Sequence, residues 1–107
     1  MKVLLDECVP RKFKRSLPGH ACQTVPEAGL AGQRNGALLL SAERPGFDVF
    51  LTVDKGLEFE QNVAVRRIAI AIVHSRSNRL ADLAPYAAQW LAEISSAQPG
   101  RIHRVGS

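Results

Sequence analysis

Two aspartates stand where apolar runs end: Asp6 in MKVLLDE, Met1–Glu7, and Asp54 in DVFLTVDK, Asp48–Lys55. A buried strand of Val, Leu and Phe gains nothing from closing on a carboxylate unless its tip opens on a polar site. In open parallel α/β sheets, ligands bind in the crevice beyond the carboxyl ends of the strands. Two carboxylates gathered there repel each other, and a cation relieves the repulsion. Mg²⁺ takes one or two carboxylates, keeps several waters and meets substrate phosphate oxygens. Such an ion activates water and stabilises a departing oxyanion. Asp6 and Asp54 are therefore candidate ligands of a divalent cation such as Mg²⁺, in a site built for phosphate chemistry. The competing reading makes each aspartate the cap of a following helix or turn.

Further groups follow the same logic. Glu7 is a candidate ligand or water-activating base, or else a first-turn glutamate facing the positive end of a helix. Asn35 offers a hard amide oxygen to a metal-bound water, and as a helix N-cap it also has a complete structural role. Lys55, Arg76 and Arg79 follow strand ends on the expected site side, where they can hold phosphates. Arg11, Lys12, Lys14 and Arg15 form a denser basic cluster, read as a nucleic-acid contact or a solvated face, with Phe13 among them assigned to the core. Thr52 and Ser75 end strands, where they orient water or simply pack. His20, His74 and His103 have no zinc spacing. No Ser-His-Asp or Cys-His set is readable. Gly29, Gly32 and Gly36 match neither phosphate-loop fingerprint and read as turn residues. Cys8 and Cys22 lack metal or redox spacing and are expected as buried free thiols.

These residues need elements to position them. Val3–Leu5, Ala21–Val25, Val49–Val53 and Ile68–Val73 read as strands, and Ile102–Val105 as a final edge strand. Val9–Leu17 reads as a helix with Pro10 in its first turn and Phe13 and Leu17 on one face. Asn35–Arg44 is a second helix, stopped by Pro45-Gly46. Leu57–Asn62 is a short third helix. Leu80, Leu83, Ala84, Ala87, Trp90, Leu91 and Ile94 carry the strongest helical periodicity, and Pro85 places that helix's start near Asp82. Alternation of strand and helix predicts a parallel sheet with helices on both faces.

Composition sets the bounds. The 107 residues suffice for one compact domain, 1–107, and 46% hydrophobic with 22% charged content is ordinary for a soluble globule. The longest apolar run, Ile68–Val73, is far too short for a membrane span. No secretion leader is read, so the cytoplasm is the expected location. The net charge of +4, with Arg supplying ten of fourteen basic residues, suits either a polyanionic partner or a plain basic surface.

LLDECVP at Leu4–Pro10, GLAGQRNGALL at Gly29–Leu39 and LTVDKGL at Leu51–Leu57 together resemble a PIN-like domain family. The likeness is to a small bacterial branch whose members often begin LLDE and carry T-x-D after the third strand. SNRLADLAP at Ser77–Pro85 extends the likeness, which spans most of the chain. The resemblance implies a Rossmann-like three-layer α/β/α sandwich with a central, mostly parallel sheet of four or five strands. It also implies an Mg²⁺- or Mn²⁺-dependent nuclease, mostly acting on RNA, and in many relatives the toxin of a toxin–antitoxin pair. Asp6 then matches the first-strand acid and Asp54 the T-x-D acid. Asn35 falls where many relatives have Asp, so one negative charge is missing. Glu7 and Glu58 are the candidates for a fourth acid.

The leading expectation is thus a ribonuclease in which Asp6, Asp54, Glu7 and Asn35 form the catalytic set. Lys55, Arg76, Arg79, Arg11 and Lys12 hold the nucleic acid. RNA is the expected partner, with an antitoxin protein and a second copy of the chain as further candidates and no membrane. A catalytically weak RNA- or protein-binding module of the same fold is the alternative, favoured by Asn35. A phosphoacceptor receiver domain would use Asp6, Glu7 and Asp54, with Ser75 after strand four. It also needs a lysine after strand five, and none follows Lys55.

Overall fold

Short β-branched and aliphatic runs form the sheet. The computed structural model describes residues 1–33, 35–43, 45–53 and 67–106, with backbone alone at 35 and 36. The strands are β1 Lys2–Leu5, β2 Ala21–Thr24, β3 Val49–Thr52, β4 Ala69–His74 and β5 Ile102–Gly106. All pair in parallel in the order β2-β1-β3-β4-β5. This is the expected Rossmann-like α/β architecture, with β5 at an edge.

Strand side chains alternate between two cores, as the two-residue repeat requires. Val3, Leu5, Val49, Leu51, Ala71, Val73 and Val105 face one side with Phe13, Leu83, Trp90 and Ile94. Leu4, Phe50, Ile70 and Ile72 face the other with Leu38, Leu39 and Ala42. β3 and most of β4 are buried on both faces, which explains their unbroken apolar sequences.

The helices differ from expectation in instructive ways. The segment expected as a helix over Val9–Leu17 is a 3-10 helix over Arg11–Ser16, with Pro10 as its N-cap rather than inside its first turn. Arg11 and Arg15 stand four apart, and like charges at that spacing disfavour an α-helix. No acidic residue offsets them in the first turn. Phe13 and Leu17 are nevertheless buried as expected. Helix α1 covers Asn35–Glu43, beginning at Asn35 itself. It ends in a Schellman motif: Gly46 N–H donates to Glu43 O at 3.1 Å, Phe47 N–H donates to Ala42 O at 3.3 Å, and Gly46 has φ +83°.

The last helical stretch starts at Leu80, not near Asp82. It runs as α2 Leu80–Leu83, a 3-10 turn Ala84–Tyr86 and α3 Ala87–Ser95. Pro85 cannot donate to an α-helical ladder, and the tighter 3-10 turn accommodates it without ending the run. The expected helix at Leu57–Asn62 lies outside the described residues. Among the described residues, no helix is long and apolar enough to cross a membrane.

Candidate functional site

β1 connects outward to β2, and the chain then returns to β3 on the other side of β1. The sheet therefore has a topological switch point between β1 and β3, the place where such sheets bind ligands. Asp6 follows β1 there. Its N–H donates to Leu51 O at 2.9 Å, extending the β1–β3 ladder by one step. That step sets Thr52 beside the Asp6 side chain.

Three donors converge on the Asp6 carboxylate. Glu7 N–H donates to Oδ1 at 2.8 Å. The Thr52 hydroxyl donates to Oδ2 at 2.6 Å, and the Cys8 thiol donates to the same oxygen at 3.4 Å. Cys8 Sγ also lies 3.7 Å from Thr52 Oγ1. Thr52 is fully buried, so its end of the arrangement is fixed by the core. Burial pushes the Cys8 thiol above its ordinary value; a backbone hydrogen bond at Val53 opposes this, and the Asp6 charge reinforces it. Cys8 is accordingly a thiol at neutral pH and able to donate. A carboxylate offers about four lone-pair sites, so three donors orient Asp6 and leave capacity for an outside ligand.

The remaining candidates are distributed around this point. Glu7 is exposed beside Asp6. Asn35 opens α1, which begins beyond the carboxyl end of β2. Asp54, Lys55 and Glu58 lie outside the described residues. Arg76 and Arg79 are exposed in the loop after β4, with Arg76 Nε 3.9 Å from Asp82 Oδ1. In the same loop the Ser77 hydroxyl bonds the Asp82 carboxylate, and Ser75 Oγ donates to Asp82 O at 3.3 Å. Ser75 therefore organises its own loop. Arg11 and Lys12 are exposed on the 3-10 helix.

Two features were not assigned from sequence. From sequence Thr52 reads as a strand-end residue that orients water or packs, yet its hydroxyl orients Asp6; its place one residue beyond the Leu5–Leu51 pairing is the signal. Cys8 and Cys22, expected as buried free thiols, are both free but only half-buried. Cys22 lies on the edge strand β2, and Cys8 sits at the rim against Asp6.

Among the described residues, no three His, Cys, Asp or Glu side chains form a metal-binding group. Asp6 alone supplies one hard oxygen ligand, which is within the small protein contribution that Mg²⁺ accepts. An open cavity of about 410 Å³, lined by Leu40, Ser41, Glu43 and Arg67, lies near the amino end of the sheet, away from Asp6. Comparison with protein-family models, curated proteins and solved structures finds no match to this chain.

Proposed function

We propose that the chain is a divalent-metal-dependent ribonuclease centred on Asp6, possessing the chemistry expected of a PIN-like toxin. The observation that carries this reading is a carboxylate at the switch point, oriented from beneath by Thr52, Cys8 and the Glu7 N–H. Its donor chemistry suits Mg²⁺ or Mn²⁺, with Asp54 as the second carboxylate of the proposal. A bound ion would supply positive charge to phosphate oxygens and to a departing oxyanion. In this reading Asp6 holds the anionic side of the site, Glu7 accepts a proton from water, and Asn35 contributes a neutral oxygen. Lys55, Arg76 and Arg79 bind phosphates. An antitoxin partner belongs to the same reading.

The test measures Mn²⁺ binding by calorimetry and cleavage of RNA, comparing wild type with Asp6→Asn and Asp54→Asn. Loss of both binding and cleavage in each variant is the expected result. Undiminished metal-dependent cleavage in both variants would overturn the proposal.

A second reading is a binding module of the same fold without catalysis. Asn35 in place of an acid favours it. Wild-type protein that binds RNA but takes no Mn²⁺, even with an uncleavable RNA present, would select this reading.

A further inference from the structure

A histidine of β5 joins two elements on the Trp90 side of the sheet. His103 pairs with Ala71 across the β4–β5 ladder, so its ring enters the face that α3 covers. Its side chain is 14% exposed. The chain leaves α3 at Ser96, turns through 97–101 and enters β5 at Ile102. In that turn Arg101 N–H donates to Gln98 O at 3.2 Å, and Gly100 N–H donates to Ile68 O at 3.1 Å. Gln98 N–H instead donates to the His103 ring, to Nε2 at 3.2 Å. At the other end of the ring, Nδ1 lies 3.4 Å from Glu93 Oε2 on α3.

These two contacts define the state of the ring. A ring nitrogen that accepts a backbone N–H carries no proton, so Nε2 is the bare nitrogen and Nδ1 bears the hydrogen. The ring is neutral, with its N–H towards a carboxylate. Turning it over would set carbon atoms against both partners. A second proton has to go to Nε2. Nε2 then becomes a donor facing another donor, and the bond from Gln98 is lost. The same proton makes the ring a cation, which strengthens its attraction to Glu93. One proton therefore acts on the two partners in opposite directions.

The surroundings decide which end yields. Glu93 belongs to a helix held in the core by Trp90 and Ile94, whereas Gln98 is exposed in a turn and its N–H has water as an alternative partner. β4 presents the uncharged Ala71 opposite the ring, and Arg104 follows on the other face of β5. Arg101 is exposed and forms no ion pair among the described residues. The carbonyls of Glu93 and Ile94, at the end of α3, already accept the N–H groups of Ser96 and Ala97.

We infer that His103 is a proton-operated clasp at the start of β5. Neutral, it ties α3 to the turn; charged, it keeps α3 and releases the turn. Acid thereby loosens the entry to the edge strand while the helix stays docked. The clasp is independent of Asp6 and of the activity proposed there.

The test is NMR of the 15N-labelled chain between about pH 8 and pH 5, the range in which histidine changes charge. Long-range ring spectra report which nitrogen of His103 is protonated, and amide exchange reports the Gln98 bond. The neutral ring should carry its proton on Nδ1. As the ring gains its second proton, Gln98 should lose protection about two- to tenfold beyond the intrinsic pH dependence of exchange, the weight of one hydrogen bond. The Gln98 step should share the midpoint of the ring, while the Trp90 and Ile94 amides hold steady. Ring-to-α3 nuclear Overhauser contacts should persist in acid in wild type and be lost in Glu93→Gln. In His103→Phe the Gln98 amide should be open throughout, with no step. A neutral ring protonated on Nε2, or a Gln98 amide indifferent to the ring's titration, would overturn the inference. A charged ring that leaves α3 while keeping Gln98 would overturn it as well.

Discussion

Thr52 illustrates how a core residue comes to serve a surface group. Its backbone completes β3, its side chain is fully buried, and its hydroxyl donates to Asp6 Oδ2 at 2.6 Å. A hydrogen bond to a charged acceptor contributes about 1.5–3 kcal/mol. Thr52→Val keeps the shape and removes the donor, so stability should fall by about that amount in urea unfolding at neutral pH. If Asp6 is the metal ligand, Mn²⁺ affinity should fall as well, because the carboxylate loses its fixed orientation. Gly106 makes a second point at this scale. Its φ is +85°, and a Cβ there would lie 2.7 Å from the His74 carbonyl oxygen, a backbone atom that cannot swing aside. Gly106→Ala must therefore both strain the backbone and push β5 away from β4. A loss of about 1–3 kcal/mol is expected from the backbone strain alone. A variant as stable as wild type would show that the β5 end can relax.

At the scale of elements, the stretch after β2 holds a device that was not read from the sequence despite its signature. Thr24 and Glu27 form a capping box: Glu27 N–H donates to Thr24 Oγ1 at 3.3 Å, and Thr24 N–H donates to Glu27 Oε1 at 2.8 Å. The turn closes with Gly29 N–H to Pro26 O and Leu30 N–H to Val25 O, and Gly29 takes φ +77°. The same Glu27 carboxylate grips Lys14, joining this turn to the 3-10 helix. Lys14 first, and then the Thr24 N–H, hold the Glu27 carboxyl down at about 2 from an ordinary 4.5. A carboxyl lowered by folding stabilises the native state above its unfolded value, and the benefit fades as pH falls through the folded value. Glu27→Gln should therefore melt below wild type at neutral pH, with the gap closing as pH falls from about 4.5 towards about 2. A gap constant across that range would remove the ionised carboxylate as its source. Strand positions were legible in the sequence because apolar runs at β1, β3 and β4 must be buried on both faces. Helix type was not: the apparent amphipathic helix is a 3-10 helix over Arg11–Ser16, and Pro85 lies in an internal 3-10 turn. Asp6 was legible as a strand-end acid, whereas its bond to Thr52 depends on strand register, which a single chain does not declare.

The whole molecule consists of two cores divided by one sheet, and the sheet makes them interdependent. Val49, Leu51, Ala71 and Val73 face the Trp90 side, while Phe50, Ile70 and Ile72, interleaved with them, face α1. Losing order on one face frees the backbone that presents the other, so the faces should unfold together. Trp90 is the single tryptophan and is fully buried, so its fluorescence reports one face alone. Ile70 is fully buried on the opposite face and does not belong to the Trp90 cluster. Ile70→Ala removes buried methyl groups and leaves a cavity, which costs about 2–5 kcal/mol. Although the cavity is on the α1 side, the Trp90 fluorescence midpoint in urea should fall with the far-UV circular dichroism midpoint, the two curves remaining superimposed as a two-state transition requires. Curves that separate, with Trp90 fluorescence unchanged while helical signal is lost, would divide the molecule into two foldons. That division would matter at the switch point, because β1 and β3 carry Asp6 and Thr52 and are common to both cores. Cooperative loss means that damage to either face reaches the candidate site through these strands, without any contact between the substituted residue and Asp6.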